Sequence, residues 1–401
     1  MLLGLTSPAW PGADTPNGIV TAVANLRAGL EATGHGAVVI SGRREPGSDA
    51  VPLPPHPPER LLKRLLRRLE PAEAFFARDG VRLARLGEEL VRARGVRGFL
   101  MEETYGWAGV AQAGLSVPVI TVLHGPWDIH QGLSGLAPTE ADRQRIRLEA
   151  EGLRRSGGVA APSRDVLDRM IARAEVPDET PRAMIPNAIV AGPRIDFDSL
   201  DARERRSLLF VGRFDRHKGG DVALEAFARL IAGGADAWLT FVGPDRGVET
   251  PGLGRRSLAE ALAALPAETR ARIDVRGQLA REEVARLRLR HALTVVPSRY
   301  ETFGYTVLEA MAAGSPLVAS RVGAIPSIVD DGRSGVLTPP GDAAALAAAC
   351  QTLLDDPARM RRIGEAARQE ALRVYAPETV ARQTVAFVEE CAEALARRRR
   401  G

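Results

Sequence analysis

Short apolar runs alternate with segments of helical periodicity along the chain. The first half contains apolar runs that predict strands at residues 1–6, 37–41, 96–101, 117–123 and 158–161. The alternation restarts after residue 206, with strands predicted at residues 207–212, 237–242, 272–275, 293–296 and 316–319. Helical periodicity appears at residues 19–30, 221–232, 257–264, 281–290, 305–313 and 342–354.

This alternation is typical of α/β proteins with doubly wound parallel sheets. Two separate runs predict two Rossmann-like domains, at residues 1–190 and 207–375. The polar stretch 191–206 lacks strong periodicity and is interpreted as the linker between them. Residues 376–401 contain a helical pattern, and we expect this last helix to pack back on the N-terminal domain.

Composition places the 401-residue chain among ordinary globular proteins, with 45% hydrophobic and 26% charged residues. The formal charge of +4 suits anionic partners such as nucleotides without selecting among them. Aromatic residues make up 4%, which argues against the stacking platforms of proteins that bind single-stranded nucleic acid. Cys350 and Cys391 have no metal-ligand spacing, so a reducing, cytoplasmic location without a disulfide framework is expected.

One basic segment interrupts the rhythm. Residues 59–69, ERLLKRLLRRL, place leucines on one side of a helix and four cations on the other. Such a helix can lie on an anionic membrane surface, which would make the protein peripheral to the inner face of a membrane. We favour the other interpretation, in which this is a surface helix that packs its leucines on its own domain.

The segment SLLFVGRFDRHKGGD carries two cations after a predicted strand. Arg213 and Lys218 follow the strand end at Val211, and open α/β sheets bind ligands at the carboxyl ends of their strands. Arginine can hold two oxygens at once, while lysine supplies a point charge. The pair therefore suits a diphosphate, although each residue alone is equally compatible with a solvated surface cation.

A second segment, LTVVPSRYETFGYTVLEAMAA, carries two glutamates. Glu301 lies on a loop after the strand, and Glu309 lies on the helix that begins near Tyr305. The unpaired amides at the start of that helix form a ready anion site. Carboxylates accept hydrogen bonds from sugar and ribose hydroxyls, so the two glutamates can approach one ligand from two sides.

These segments resemble a known family. The string ETFGYTVLE is similar to the Glu-x7-Glu motif of retaining glycosyltransferase family 4, which has the GT-B fold. VGRFDRHKGGDVALEAF is similar to that family's diphosphate-binding segment, and IPNAI at 185–189 to the segment before its linker. The resemblance extends over residues 1–395 and is strongest after residue 185.

The resemblance implies a division of roles. Glu309 would hold the ribose, Glu301 would lie beside the donor sugar, and Arg213 and Lys218 would carry the departing diphosphate. Backbone amides would contact the sugar and one phosphate, and further segments would flank the base. The backbone contacts implied are Phe303, Gly304 and Tyr305 for the sugar, Thr306 for a phosphate, and Gly243, Arg276, Gly277 and Leu279 around the base.

The first domain is less informative. His124 lies at the carboxyl end of a predicted strand, where a structural or exposed histidine is the default interpretation. The resemblance to the family implies instead that His124 faces the donor sugar across a cleft. Asn17 and Gly18 replace the two glycines usual in the family, and amides at this helix start could face a phosphate or the acceptor. Four residues on the following loops are weak candidates for the acceptor site: Glu102, Tyr105, Trp107 and Trp127.

The resemblance implies transfer of a hexosyl group from a UDP- or GDP-linked sugar, with retention, to an unidentified glycan, glycolipid or small-molecule acceptor. No metal or other cofactor is expected, because the cations and the helix start supply positive charge. The string Asp196-Phe197-Asp198 fits a metal-binding pattern, but no strand leads into it. A sugar-nucleotide epimerase, a phosphorylase and a nucleotide-sugar-binding protein without catalysis remain as alternatives.

Overall fold

The structure is a computed structural model that describes residues 1–10, 18–44, 47–54, 71–134, 137–250 and 254–400. The chain divides into two compact units. The first comprises Met1–Gly132, Leu136–Ala188 and Pro377–Gly401, and the second is built on Ile189–Ala376. The basic segment 59–69 and Asn17 lie outside the described residues, so the predictions made for them stay predictions.

The first unit begins the chain with an alternation of strands and helices. Its strands are β1 (Leu2–Ser7), β2 (Gly36–Ser41), β3 (Val51–Pro52), β4 (Val96–Glu102), β5 (Val119–Val122), β6 (Gly158–Ala161) and β7 (Arg182–Met184). Its first helices are α1 (Gly18–Ala32), α2 (Pro71–Arg94), α3 (Trp107–Gln112), α4 (Trp127–Ser134), α5 (Glu140–Arg154) and α6 (Arg164–Ala174), with a 3₁₀ turn at Thr104–Gly106.

Among the described residues these strands form one parallel sheet in the order β3-β2-β1-β4-β5-β6-β7. The chain starts in the middle with β1, adds β2 and β3 on one side, and then crosses to β4 on the other. The reversal between β1 and β4 makes their carboxyl ends a topological switch point, where open α/β sheets bind ligands.

The second unit repeats this construction. Its strands are β8 (Ser207–Val211), β9 (Phe214–Asp215), β10 (Trp238–Val242), β11 (Asp245–Thr250), β12 (Gly254–Arg256), β13 (Ile273–Gly277), β14 (Leu293–Val296), β15 (Leu317–Ser320) and β16 (Val336–Thr338). Its helices are α7 (Gly220–Ala232), α8 (Leu258–Ala263), α9 (Ala267–Arg270), α10 (Arg281–Arg288), α11 (Tyr305–Ala313), α12 (Ile325–Ile328), α13 (Ala343–Leu354) and α14 (Pro357–Val374), preceded by a 3₁₀ turn at Glu204–Arg206.

Within the described part of the unit, six strands pair in the order β13-β10-β8-β14-β15-β16, and β12-β11-β9 form a small separate sheet. Leu208 lies opposite Leu239 on one side and opposite Leu293 on the other. The switch point therefore falls between β8 and β14.

The core of this unit follows from the alternation of side chains along its strands. Val318 packs in a cluster with α7 and α13, whereas its neighbours Leu317 and Ala319 pack in a cluster with α11 and α14. Successive residues of a strand point to opposite faces, so helices cover both faces of the sheet. Phe210 and Phe241 stack at 4.4 Å between ring centroids inside the first of these clusters.

The last helix, α15 (Pro377–Arg398), belongs to the first unit. Gly29 of α1 lies against the backbone of Pro377, where an added Cβ would come within 2.0 Å of the Pro377 carbonyl oxygen. Val388 and Cys391 are buried in the same apolar cluster as Leu3 and Leu5 of β1. Among the described helices, none combines the length and the apolar character that a membrane span requires.

The candidate site in the second unit

The loops after β8 and β14 bring three of the predicted charged residues to one edge of the second sheet. The two strands are direct neighbours, and Gly212 and Pro297 follow their carboxyl ends. The first loop carries Arg213 and Lys218, and the second carries Glu301 ahead of α11. The residues predicted from two distant segments therefore lie at the switch point of this sheet.

Lys218 and Glu301 form an ion pair. The Lys218 Nζ donates to Oε1 of Glu301 at 2.7 Å, and the hydroxyl of Ser298 donates to the same oxygen at 2.7 Å. The Glu301 side chain is 7% exposed and that of Lys218 is 22% exposed. A nearly buried carboxylate is thus matched by a cation that still reaches the surface.

Opposing effects act on the pKa of Glu301. Burial acts to raise the pKa, but the charge and hydrogen bond of Lys218, together with His217 and Ser298, outweigh it. The pKa therefore lies below its ordinary value of 4.5, and the carboxylate is ionised at neutral pH. Ser298 and His217 were not among the predicted site residues.

Asp215 contacts the side chain of Arg213 and the backbone of Lys218. Its Oδ1 accepts from the backbone N–H of Lys218 at 2.7 Å, and its Oδ2 accepts from Nε of Arg213 at 2.6 Å. The Arg213 side chain is 45% exposed, so its guanidinium has room for an anion. Sequence reasoning missed Asp215, although an acidic residue between two cations that share one loop was the available signal.

A second ion pair holds the two loops together. Arg299 makes a bidentate contact with Asp221 of α7, at 2.9 and 2.7 Å, and its backbone N–H donates to the carbonyl of His217 at 2.8 Å. The His217 ring lies 2.7 Å from the carbonyl oxygen of Tyr300 through Nε2. Burial, and then the nearby Lys218 charge, lower the pKa of His217, which favours a neutral ring at pH 7.

Helix α11 begins where this second loop ends. Gly304 precedes it with φ 94°, a conformation that costs glycine nothing. The first amides of a helix have no partner within the helix and carry the positive end of its dipole. The amides of Tyr305 and Thr306 occupy that first turn, a few residues beyond Glu301. Phe303 is buried between the rings of Tyr305 and Tyr375 and fixes the entry to the helix.

Glu309 lies one turn beyond Tyr305 on the same face of α11. Its Oε2 accepts from Nη2 of Arg288 at 2.5 Å. Arg288 is almost completely buried at the end of α10, while the Glu309 side chain is 30% exposed. Arg288 was not predicted as a site residue.

The residues expected around the base also lie at this edge. The backbone N–H of Gly243, after β10, donates to the carbonyl of Gly277 at 2.7 Å. The N–H of Gly212 donates to the carbonyl of Val242 at 2.9 Å, which links this pair to the first loop. Arg276 is exposed and pairs with Asp274 at 2.7 Å. Leu279 follows on the segment before α10 and is half-buried.

The first unit places Glu102 and His124 at the ends of neighbouring strands. Both line a cavity of about 50 Å³, together with Thr6 and Asn187. One oxygen of Glu102 is buried without a partner. Burial, reinforced by the adjacent Glu103 charge, raises the pKa of Glu102 to about 8, and burial lowers the pKa of His124.

Glu103, which was not among the predicted site residues, holds the loop after β5. Its two oxygens accept from the backbone N–H groups of His124 at 3.1 Å and Gly125 at 2.8 Å. The Glu103 side chain is buried. A buried carboxylate that binds two adjacent amides fixes the backbone of His124, so this contact determines where the histidine lies.

The aromatic candidates are more enclosed than the sequence suggested. Trp127 is the first residue of helix α4 rather than part of a loop, and its indole N–H donates to Asp142 at 2.8 Å. The guanidinium of Arg145 lies 4.1 Å from the Trp127 ring centroid and 4.9 Å from that of Tyr105. Trp107 is half-buried with its indole nitrogen enclosed and unpaired. These contacts leave the acceptor role of the three rings a prediction.

Two further expectations concern helix α1 and the linker. Gly18 is the first residue of α1 and is exposed. Asp198 of the Asp196-Phe197-Asp198 string pairs with Arg361 at 2.6 Å, and its backbone N–H donates to Asp196 at 3.1 Å. Among the described residues, no group of three or more histidine, cysteine or acidic side chains is arranged to hold a metal ion.

Two doubly wound units with a cationic, carboxylate-bearing switch point define the class of the protein, which is that of the GT-B glycosyltransferases. The family model "Glycosyl transferases group 1" matches residues 193–370, and "Glycosyltransferase Family 4" matches residues 16–191. The two models together match most of the chain, which belongs to the glycosyltransferases that they describe.

Individual relatives agree with this membership. The chain is 42% identical over 113 residues to an MMP alpha-(1->4)-mannosyltransferase of Mycolicibacterium hassiacum, covering 28% of each chain. It is 28% identical over 262 residues to the alpha-D-kanosaminyltransferase of Streptomyces kanamyceticus, covering 63% of this chain and 65% of the relative. The matches thus span less than two thirds of either relative's length.

A solved structure shows the same fold over nearly the whole chain. Sucrose-phosphate synthase from Thermosynechococcus elongatus is 23% identical, has a TM-score of 0.68, and matches 97% of this chain and 98% of its own. The prediction of an α/β, GT-B architecture is confirmed.

Proposed function

We propose that the protein is a glycosyltransferase that moves a hexosyl group from a UDP- or GDP-linked sugar to an acceptor hydroxyl, with retention of anomeric configuration. Membership of the family supports transfer, and the mannosyl and kanosaminyl groups named for two relatives support a hexose. The acceptor would be a hydroxyl group of a glycan, a glycolipid or a small metabolite.

The observation that carries the proposal is the Lys218–Glu301 pair at the switch point of the second sheet. Ligands of open α/β sheets bind there, and a diphosphate brings two or three negative charges. Lys218 supplies a point charge for the diphosphate oxygens, and Arg213 supplies a planar guanidinium that can hold two of them. The start of α11 adds unpaired backbone amides. Glu301 orients Lys218 and leaves a carboxylate beside the bound sugar.

The chemistry follows from this charge distribution. The acceptor oxygen bonds to the anomeric carbon as the bond from that carbon to the terminal phosphate oxygen breaks. The acceptor proton passes to the departing nucleoside diphosphate, which takes the electron pair of the broken bond. Fixed cations stabilise the charge that develops on this leaving group, so we propose that no divalent metal is required.

The remaining residues would orient the donor. Glu309 would accept hydrogen bonds from the ribose, and the backbone around Phe303 and Gly304 would contact sugar hydroxyls. Gly243 and Gly277 adjoin at the carboxyl ends of β10 and β13, which suits a flat base on that side of the diphosphate. Positioning of this kind can supply a large part of the rate enhancement.

The test is nucleotide release from a panel of UDP-, GDP- and ADP-sugars, with and without mixed glycan and glycolipid acceptors. Wild type is expected to release one nucleotide faster when acceptor is present. Lys218→Ala and Glu301→Gln are expected to lower kcat/KM by about 10²–10³-fold. Proton NMR of the product would then show whether the anomeric configuration is retained, and a chelator would show whether a metal is needed.

Glu225→Gln is the matched control. Glu225 forms an exposed pair with Arg229 on α7 of the same unit, and its loss should leave the rate unchanged. A wild type that binds a nucleotide sugar but transfers nothing to any acceptor would contradict the proposal. Conversion of the donor sugar without an acceptor would favour an epimerase instead.

A further inference from the structure

Arg288 is a cation buried beside a residue of the proposed donor site. Its side chain is 2% exposed at the last position of α10, and its Nη2 donates to Glu309 at 2.5 Å. Arg286 and Arg290 surround it in sequence, and the Arg290 side chain is 61% exposed. The chain therefore buries one arginine of this run and directs it to Glu309.

Burying an arginine requires compensation for the water that it loses. One ion pair satisfies Nη2, but Nη1 of Arg288 is buried without a partner. The hydroxyl of Tyr305, one turn before Glu309 on α11, is also buried without a partner. Burial, and then the Glu309 charge, raise the pKa of Tyr305.

Two buried hydrogen-bonding groups, one on the partner of Glu309 and one on a residue a helical turn before it, thus have no partner. A buried pair with a purely structural role normally has all its polar atoms satisfied. Here the Glu309 carboxylate is partly exposed, and one of its oxygens accepts a hydrogen bond from Arg288. The contact with Arg288 holds the carboxylate in a fixed orientation, with part of it still exposed at the surface.

We propose that Arg288 is a positioning residue that orients the Glu309 carboxylate to accept hydrogen bonds from the ribose hydroxyls of the nucleotide. The proposal rests on the proposed function and adds a specificity to it. The protein should discriminate between a nucleoside diphosphate and its 2′- or 3′-deoxy analogue, and that discrimination should depend on Arg288.

The experiment first titrates wild type with UDP, GDP and ADP by calorimetry and then uses the nucleotide that binds most tightly. Its 2′-deoxy and 3′-deoxy analogues are titrated next. Wild type is expected to bind at least one analogue about 10–100-fold more weakly, the range for a hydrogen bond to a charged group. Arg288→Met should weaken the parent nucleotide and reduce this discrimination to about threefold or less.

Arg288→Lys keeps the buried charge and carries the test should the methionine variant not fold. Its discrimination between the parent nucleotide and the deoxy analogues should be intermediate between those of wild type and Arg288→Met, because one ammonium group cannot reproduce the guanidinium fork. Arg290→Met, which removes the exposed arginine two residues on, is the matched control and should bind as wild type does. Thermal melts confirm that each variant is folded.

The outcomes separate this inference from the function on which it rests. If no nucleoside diphosphate binds wild type, the proposed function fails. If the parent nucleotide binds but the deoxy analogues bind equally well, this inference alone fails. If both arginine variants bind more weakly yet keep the wild-type discrimination, Arg288 acts only on stability and the positioning role is wrong.

Discussion

Nζ of Lys218 and Oε1 of Glu301 lie 2.7 Å apart, although 83 residues separate them in the chain. The contact joins the loop after β8 to the loop after β14, the two strands at which the order of the sheet reverses. The pair matters to the fold because Glu301 is nearly buried and Lys218 is the cation that pairs with it. The pair proposed to bind an anion is thus also a structural element of the fold.

Replacement of Lys218 by methionine should affect activity and stability together. The variant leaves a buried carboxylate without its cation, so we expect the free energy of unfolding at pH 7 to fall by about 1–3 kcal/mol. We expect kcat/KM to fall about 10²–10³-fold because the leaving diphosphate loses a positive charge. Urea unfolding and the nucleotide-release assay measure the two effects.

The pH dependence of that stability loss identifies its cause. The pKa of Glu301 lies below 4.5, so the ionised carboxylate contributes stability that is present above pH 4.5 and is lost as the pH falls through the folded-state pKa. The difference between wild type and Lys218→Met should therefore be largest near pH 7 and shrink below pH ~4. A difference that stays constant across this range would show that the ion pair is not its source.

Gly323 supports Glu301 through the backbone. It has φ 50°, and a Cβ at this position would meet the carbonyl oxygen of Glu301 at 2.1 Å. Gly323→Ala should displace the Glu301 loop, lowering kcat/KM by at least about 10-fold and stability by about 2–4 kcal/mol. Enzyme assays and chemical unfolding measure both.

Gly332→Ala separates backbone strain from this clash. Gly332 has φ 80°, but a Cβ there would meet nothing within 4 Å. The variant should lose only about 1–2 kcal/mol of stability, the cost of a left-handed alanine, and keep its activity. Equal losses of activity in both variants would contradict the role given to Gly323.

Glu102→Gln should stabilise the first unit in a pH-dependent manner. Burial raises the pKa of Glu102 to about 8, so between pH 4.5 and 8 the folded state retains a proton that the unfolded state releases. Wild-type stability is therefore lowered as the pH rises through this window, and glutamine removes that titration. The variant should match wild type at pH 4 and exceed it by about 1–3 kcal/mol at pH 8.

Thermal melts at both pH values measure this difference. Glu140→Gln is the control, since the Glu140 side chain is 72% exposed and its substitution should change neither melt appreciably. A Glu102→Gln protein that is less stable than wild type at pH 8 would contradict this prediction. It would show that the ionised carboxylate has a stabilising partner, whereas one Glu102 oxygen is buried without a partner in the structure.

Much of the fold was predictable because its central strands are apolar runs. The strands predicted at 158–161 and 293–296 match β6 and β14, and the helix predicted at 305–313 matches α11. Short edge strands such as Val51–Pro52 were missed, because two residues carry no periodicity. Helices α5 and α6 were also missed, since their charged residues conceal narrow apolar stripes.

The candidate site was predictable where chemistry and spacing coincide. Lys218 is one of two lysines in the chain, the other being Lys63, while the remaining cations are arginines. That scarcity was a further signal for a compact point charge. Arg288 was not predictable, because periodicity cannot distinguish it from Arg286 and Arg290; only packing against Glu309 makes it buried.

A crystal structure with the most tightly bound nucleoside diphosphate tests the central claim most directly. The account predicts phosphate oxygens within about 3.2 Å of the Lys218 Nζ and of the Arg213 guanidinium. A diphosphate held elsewhere in the protein, with the Lys218–Glu301 pair untouched, would contradict it.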